Sequence, residues 1–434
     1  MQIIARCALA LLLYTQAVGA QIRLPQLPVA LPTQALRNTS QLLDQTGTRT
    51  LEHLSDLRLL EITRLARSNP ATLELDPDGQ LMVRNEILAL TPTDSAVDQA
   101  RAAGFTVLRE QNLQALGLHV VVLGIPSRLS AKKALRRLRE SDPGGTYDYN
   151  HIYLGSGSMD TSGAPPVAAE SMPAGAASAH SGLRVGLIDT GIDAGHPVFA
   201  TAAIQHWGCD DKLIPAAHGT AVASLLIGRA DVFHGVQPGA TLYAADVYCG
   251  SASGGAVEAL LAAFDWLVRE RVPVINVSLV GPKNAMLQAV VAKLVARGFI
   301  IVAAVGNDGP SAAPLYPASY PNVVGVTAVD AKHKVLIEAA RGPQVMFAAI
   351  GADTAAAGAD KGYVAVRGTS FASPIVAALL AGQVNQPDPN QVNQALSVLQ
   401  KRAIDLGTAG RDLTYGFGLV GAEFRVDPAS LPHP

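Results

Sequence analysis

Cysteine is scarce in this 434-residue chain. There are three, too few for a disulfide-built scaffold, and none stands in the CxxC spacing of a zinc or dithiol site. Charge is scarce as well. Asp, Glu, Lys and Arg make up 16% of the residues and nearly cancel, leaving a net charge of -2. No stripe of Lys and Arg stands out, so the electrostatic footprint of a nucleic-acid partner is missing. After residue 20 no apolar run is long enough for a membrane-spanning helix, which argues against a helical span. What is abundant is apolar residue, at 49%. Over this length that is enough for two or three buried cores and argues against global disorder.

The first twenty residues stand apart. Arg6 precedes a short apolar run from Cys7 to Leu13, and Val18-Gly19-Ala20 sets small residues where a signal peptidase cuts. Residues 1–20 read as a secretory signal removed before Gln21, the alternative being a buried N-terminal helix. Export would place the protein in the periplasm or outside the cell. It would also leave Cys209 and Cys249 in a compartment that permits disulfides.

Residues 21–70 read as a helical leader, with Leu36, Leu42, Leu43, Leu51, Leu54, Leu57, Leu60 and Leu65 at helical intervals. Residues 81–154 read as β-α-β-β-α-β: strands at Leu81–Leu90, Phe105–Arg109, Leu118–Ile125 and Tyr149–Leu154, with helices at Asp94–Ala103 and Ser130–Glu140, the second capped by Ser130. This is a small α+β, ferredoxin-like pattern. Residues 155–181 are small, polar and Pro-rich, and read as a structureless linker and domain boundary. Residues 182–434 alternate apolar strands with helices, the pattern of an α/β domain in which a parallel sheet lies between two helical layers.

Ligands of such sheets sit beyond the carboxyl ends of the strands, and three segments fall there. In VGLIDTGID, Asp189 ends a buried strand; it reads as a turn-forming Asp or as a carboxylate facing the cleft. In AAHGTAVASLLIG, His218 opens a helix. The helix dipole disfavours a standing imidazolium there and suits a base charged only in passing, although a structural histidine fits as well. In VRGTSFASPIVAALLAG, Ser370 begins a helix that continues past Pro374, a proline placed in its first turn. The serine reads as a helix cap, or as a nucleophile whose own N–H faces the space of its hydroxyl.

Together the three run in the order Asp, His, Ser, and no GxSxG elbow occurs. That is the subtilisin order among serine hydrolases. With AAVGNDG around Asn307, and weaker matches in GVQPGA, INVSL and LYPASYPNVVGVTAVD, residues 182–425 resemble the subtilisin-like serine proteases, the subtilases. The resemblance implies a serine endopeptidase acting on polypeptides and needing no cofactor for its chemistry. Ser370 would be the nucleophile, His218 the base and Asp189 its orienting partner, with the Asn307 amide and the Ser370 N–H as oxyanion donors. A binding protein or an esterase on the same scaffold are the alternatives. The unit at 21–154 resembles the family's inhibitory propeptides, so the chain's own N-terminal domain is the expected chaperone and inhibitor. Its last strand would run into the cleft, with processing somewhere in residues 153–180. The near-balanced charge of the two parts implies that packing and strand pairing hold them together.

Two departures from the family pattern bear on substrate and metal. The substrate-binding strand Ser278-Leu279-Val280-Gly281 carries Val280 where the family has glycine. No acid lies in SLVGP or AAVGN, and the direction of Asp308 is not legible. Small or medium uncharged residues are therefore expected before the cut bond, ahead of Phe, Tyr, Lys and Arg. Between Ile227 and Gly235 one carboxylate, Asp231, stands where relatives hold calcium, against about six to eight oxygens for such a site. No metal site is assigned, and a calcium held by backbone carbonyls is left open. His206 and His234 read as surface or structural residues. Cys209 and Cys249 are expected to form a disulfide, two free thiols being the alternative.

Overall fold

A computed structural model describes residues 49–160, 182–358 and 361–431. The expected signal at 1–20, the leader up to residue 48 and the stretch 161–181 lie outside the described residues. Among the described residues no helix is long and apolar enough to cross a membrane.

The larger unit is built on a seven-stranded sheet. In chain order its strands are β8 (Arg184–Asp189), β9 (Ala203–Trp207), β12 (Thr241–Asp246), β13 (Val274–Val277), β15 (Ile300–Ala304), β16 (Val324–Val329) and β17 (Val345–Ile350). They lie in the order β17-β16-β15-β13-β8-β12-β9, every neighbour parallel. Alternation divides each strand between two cores. Val185, Leu187, Val274, Ile300 and Val302 face helices α4 (Ala217–Ile227) and α7 (Thr369–Ala381). Ile188, Ile275, Ile301 and Ala303 face α5 (Val257–Arg269) and α6 (Ala285–Ala296). Because both faces are covered, the strands read as unbroken apolar runs. The chain adds a hairpin of β10 (Arg229–Ala230) and β11 (Phe233–His234), the short strand β14 (Leu279–Val280), the pair β18 (Thr354–Ala357) and β19 (Tyr363–Arg367), and α8 (Pro389–Arg402).

The smaller unit opens with α1 (Arg49–Ser68) and β1 (Leu73–Leu75). Its sheet is antiparallel. β4 (Leu118–Gly124) lies between β2 (Leu81–Leu90) and β3 (Thr106–Leu113), and β5 (Thr146–His151) and β1 pair the other side of β2. Helices α2 (Asp94–Ala102) and α3 (Ala131–Ser141) cover one face. Ile87, Ala89, Val121 and Leu123 pack there with Ala100, Leu135 and Leu138. The alternate residues Leu88, Val120 and Val122 join Val257, Leu260, Phe264 and Leu287 of the larger unit. Each such side chain is worth about 1.5–3 kcal/mol when fully buried.

Polar contacts give this packing a register. Asn150 Oδ1 accepts from Glu258 N at 3.2 Å and Asp148 Oδ2 from Ala285 N at 2.7 Å, so β5 supplies acceptors to the first turns of both α5 and α6. Arg109 forks between Glu86 and Glu258, and Asp265 Oδ1 accepts from Leu116 N at 3.0 Å.

Three local expectations need correction. Thr93 caps α2 through Ala96 N at 3.1 Å, but Ser130 only adopts the cap backbone and its side chain caps nothing. The final strand is Thr146–His151 and not Tyr149–Leu154. The segment read as linker from residue 155 begins as strand: β6 (Leu154–Gly155) pairs with β14, and β7 (Ser158–Asp160) with β19. Its backbone groups find partners across the cleft, which local sequence cannot reveal.

Candidate active site

Asp189 ends β8, and its Oδ1 accepts from Thr190 N at 2.7 Å and from Thr190 Oγ1 at 3.2 Å. The same oxygen lies 2.7 Å from His218 Nδ1. Asp189 is 0% exposed and His218 4%. His218 is the second residue of α4, and the next N–H, of Gly219, donates to Thr190 Oγ1 at 2.8 Å. The strand end and the helix start are thus tied by one threonine.

Ser370 is the second residue of α7. Pro374 lies in the second turn, not the first, and cannot donate to the Ser370 carbonyl four residues back. Ser278 fills that gap: its hydroxyl lies 3.0 Å from Ser370 O, while Asn276 Nδ2 donates to Ser278 Oγ at 2.8 Å. Gly368, at φ +136°, precedes the helix. A side-chain carbon there would lie 2.7 Å from Gly157 Cα and 2.8 Å from Asn307 Nδ2, so the position needs glycine. Asn307 Oδ1 accepts from Thr369 N at 3.1 Å, which leaves its amide Nδ2 turned from the helix and buried without a described partner. His218 Nε2 and Asp189 Oδ2 are likewise buried and unpartnered. Such atoms are rare in folded proteins and collect at working sites.

The chain itself lies in this cleft. β6 pairs antiparallel with β14, Leu154 opposite Val280 and Gly155 opposite Leu279. Ser156 O then accepts from Ser370 N at 3.3 Å. Ser156 N lies 3.1 Å from Ser370 Oγ, which donates to Ser278 O at 3.0 Å. The Ser370 hydroxyl is therefore engaged with Ser278 and Ser156 and makes no described hydrogen bond to His218. Beyond Gly157 the chain continues as β7, Ser158 opposite Arg367. Two residues before Gly155, Tyr153 is 0% exposed. Its hydroxyl donates to Pro282 O, and its carbonyl accepts from Tyr248 Oη. Gly281 makes room for that ring, since a side-chain carbon there would lie 2.7 Å from it.

Of the expected substrate strand, Ser278 supports Ser370, Leu279 and Val280 pair with β6, and Gly281 faces Tyr153. Val280 packs with Ala304 and Leu315. The sequence reading missed Tyr153, Ser156 and Arg58. Arg58 Nε of α1 lies 3.3 Å from Asp308 Oδ2, and its Nη2 donates to Val280 O at 3.3 Å. Burial pushes the Asp308 carboxyl above the usual carboxylate range, and the Arg58 charge pulls it back.

Cys209 and Cys249 form a disulfide with Cα atoms 5.1 Å apart. With Asp246 they bring two sulfurs and a carboxylate close together, but bonded sulfurs are not thiolate ligands. Burial raises the Asp246 carboxyl, against the N–H groups of Cys249 and Tyr248. The triad's acyl-transfer chemistry needs no cofactor.

Residues 180–418, more than half of the chain, match the model of the subtilase family. The chain is 34% identical over 207 residues to the minor extracellular protease Epr of Bacillus subtilis, a stretch that spans 47% of this chain and 32% of that relative. It is 32% identical over 253 residues to subtilisin DY of Bacillus licheniformis, spanning 56% of this chain and 89% of the relative. The fold resembles fervidolysin from Fervidobacterium pennivorans, described as a keratinolytic enzyme related to subtilisin, with TM-score 0.64 and 21% identity over 83% of this chain and 63% of that one. A buried Asp–His pair beside a buried serine, on a parallel sheet and within a family match of this extent, places the chain in the subtilase family of serine proteases.

Proposed function

We propose that this protein is an exported serine endopeptidase made as a zymogen, whose ferredoxin-like N-terminal unit assists folding of the catalytic unit, inhibits it, and is cut from it between Ser156 and Gly157. The observation that carries this reading is the Ser156 carbonyl oxygen at the Ser370 N–H, with paired strand on both sides of the bond. Export accords with the signal-like residues 1–20 and with the extracellular relative Epr.

In the reaction, Ser370 Oγ turns from Ser278 O and attacks the Ser156 carbonyl carbon. His218 Nε2 takes the hydroxyl proton and passes it to the leaving amine of Gly157. Asp189, on Nδ1, fixes the tautomer and stabilises the transient imidazolium. The oxyanion meets the Ser370 N–H and the unpartnered Asn307 amide, a donor worth about 3–4 kcal/mol in such sites. Water then releases the acyl enzyme.

Assistance to folding accords with a catalytic sheet made of non-local parallel pairs, which form slowly. The test is mass spectrometry of the purified full chain. Wild type should yield two products meeting at Ser156–Gly157, and Ser370→Ala one uncut chain. Equal masses for the two proteins, or a cut elsewhere in wild type, would overturn the reading.

A further inference from the structure

Arg58 belongs to α1, far from the catalytic unit in sequence, yet it lies across the slot beside Ser156. Its guanidinium joins Asp308, just beyond Asn307, to the carbonyl of Val280 in β14. These two segments flank Ser156, the residue whose carbonyl faces Ser370 and which is P1 in the register proposed above. Both side chains are largely buried, at 14% and 15% exposure. Three carboxylates line this cavity: Glu61, Asp308 and Glu338. Glu61 is taken by Arg64 of its own helix, at 2.6 and 2.8 Å. Glu338 is taken by Arg367 within the catalytic unit, at 2.7 and 2.8 Å. Asp308 has its described ion-pair partner in the N-terminal unit, so departure of α1 leaves a carboxylate in the cleft without its counter-ion. An unpaired charge in such a place is costly, and a returning cation relieves it.

We infer that Asp308 is the specificity residue that takes a cationic P1 side chain in the processed enzyme, arginine above all, and that Arg58 is its stand-in beforehand. The inference rests on the cleft register proposed above. The short side chain of Ser156 leaves the slot to Arg58; a P1 arginine would bring the same group from the substrate strand. Two acceptors, a carboxylate and a carbonyl, suit the planar fork of guanidinium better than the single point charge of lysine. Val280, whose carbonyl Arg58 meets, packs with Ala304 and Leu315, and a β-branched residue there leaves less room for an aromatic ring than the family's glycine would. The absence of acid in the two neighbouring sequence segments argued against basic residues; Asp308 reverses that expectation.

The test uses the self-processed full chain and peptides that carry Tyr-Leu-Gly followed by Ala, Arg, citrulline or Phe at P1. Citrulline keeps the shape of arginine without its charge. The kcat/KM for Arg should exceed that for citrulline by about tenfold or more, as charge-assisted pairing in a narrow slot requires, and Phe should be the poorest. In Asp308→Asn the Arg-to-citrulline ratio should fall to near one, and the wild-type enzyme should cut the Ala peptide after its P1 alanine. A ratio near one in wild type, or an unaltered ratio in Asp308→Asn, overturns the inference. The Ala peptide separates the two readings: if it is uncut, or cut at another bond, the register has failed, whereas a flat ratio with correct cutting refutes Asp308 alone. Should Asp308→Asn fail to fold, the wild-type ratio decides.

Discussion

The catalytic sheet covers both of its faces with helices from its own half of the chain, whereas the N-terminal sheet covers one face with α2 and α3 and lays the other on α5 and α6. A strand built on an unbroken apolar run thus has two meanings. In β15 it marks a layer enclosed within one unit; in β4 it marks a unit completed by another. For the N-terminal unit, the area that finishes its fold is also the area that grips the enzyme. Its stability and its hold are linked and can be separated residue by residue.

The largest effect should come from Tyr153, where the chain enters the cleft. Tyr153→Ala removes a fully buried ring and should cost about 3–5 kcal/mol, seen as a loss of two orders of magnitude or more in the inhibition of the processed enzyme by its N-terminal unit. Unchanged inhibition would mean that the sheet alone supplies the grip.

The neighbours Leu88 and Ile87 sharpen the comparison directly, because they point to opposite faces of β2. Each truncation to alanine should cost about 2–4 kcal/mol. Leu88→Ala should weaken inhibition, whereas Ile87→Ala should chiefly lower the melting temperature of the N-terminal unit. If both variants shift inhibition equally, the two faces are not independent.

The smallest effect concerns acid. Burial opposes the charge on Asp76, but the His151 side chain 3.1 Å away and the N–H groups of Gln80 and Asp78 outweigh it and hold the carboxyl below its usual range. A carboxylate lowered in the folded state adds stability above its unfolded pKa and loses it as pH falls through the folded value. The N-terminal unit should therefore soften below about pH 4, and Asp76→Asn should flatten that dependence in a melting series. An equally steep fall in the variant would assign the acid sensitivity elsewhere.

Much of this was legible in the chain because the chemistry needs particular residues at strand and helix ends. DTGID, HGTAVAS, GTSFASP and AAVGND set Asp189, His218, Ser370 and Asn307 where the structure brings them together. The parallel core was legible because double burial erases alternation. What escaped depends on partners distant in sequence. Ser156 and Gly157 read as linker because their neighbours pair with strands more than 100 residues away. Arg58 and Asp308 meet only once the two units dock. The short strands β18 and β19, rich in alanine and valine, carry too little pattern to separate them from a loop. Ser130 had the right residue type for a cap, but its hydroxyl finds no helix N–H.

The peptide that crosses the cleft is fastened on both sides, at Tyr153 and β6 before the Ser156–Gly157 bond and at β7 after it. Met159 of β7 is buried against the catalytic core. If the chain is severed at that bond as proposed, both new ends start out held by paired strand. The new amine would stay beside the Ser370 acyl ester at an effective concentration far above that of any free amine, so its attack on that ester, which re-forms the peptide bond and frees the serine, competes with attack by water. On the processing proposed above, the cut would become final only when β7 peels from β19, a step that makes and breaks no covalent bond. Departure of β7 alone would still leave Tyr153 and β6 seated in the cleft, so on this reading the enzyme first acts on another chain only when the N-terminal unit leaves as well, a delay set by release and not by the speed of the triad.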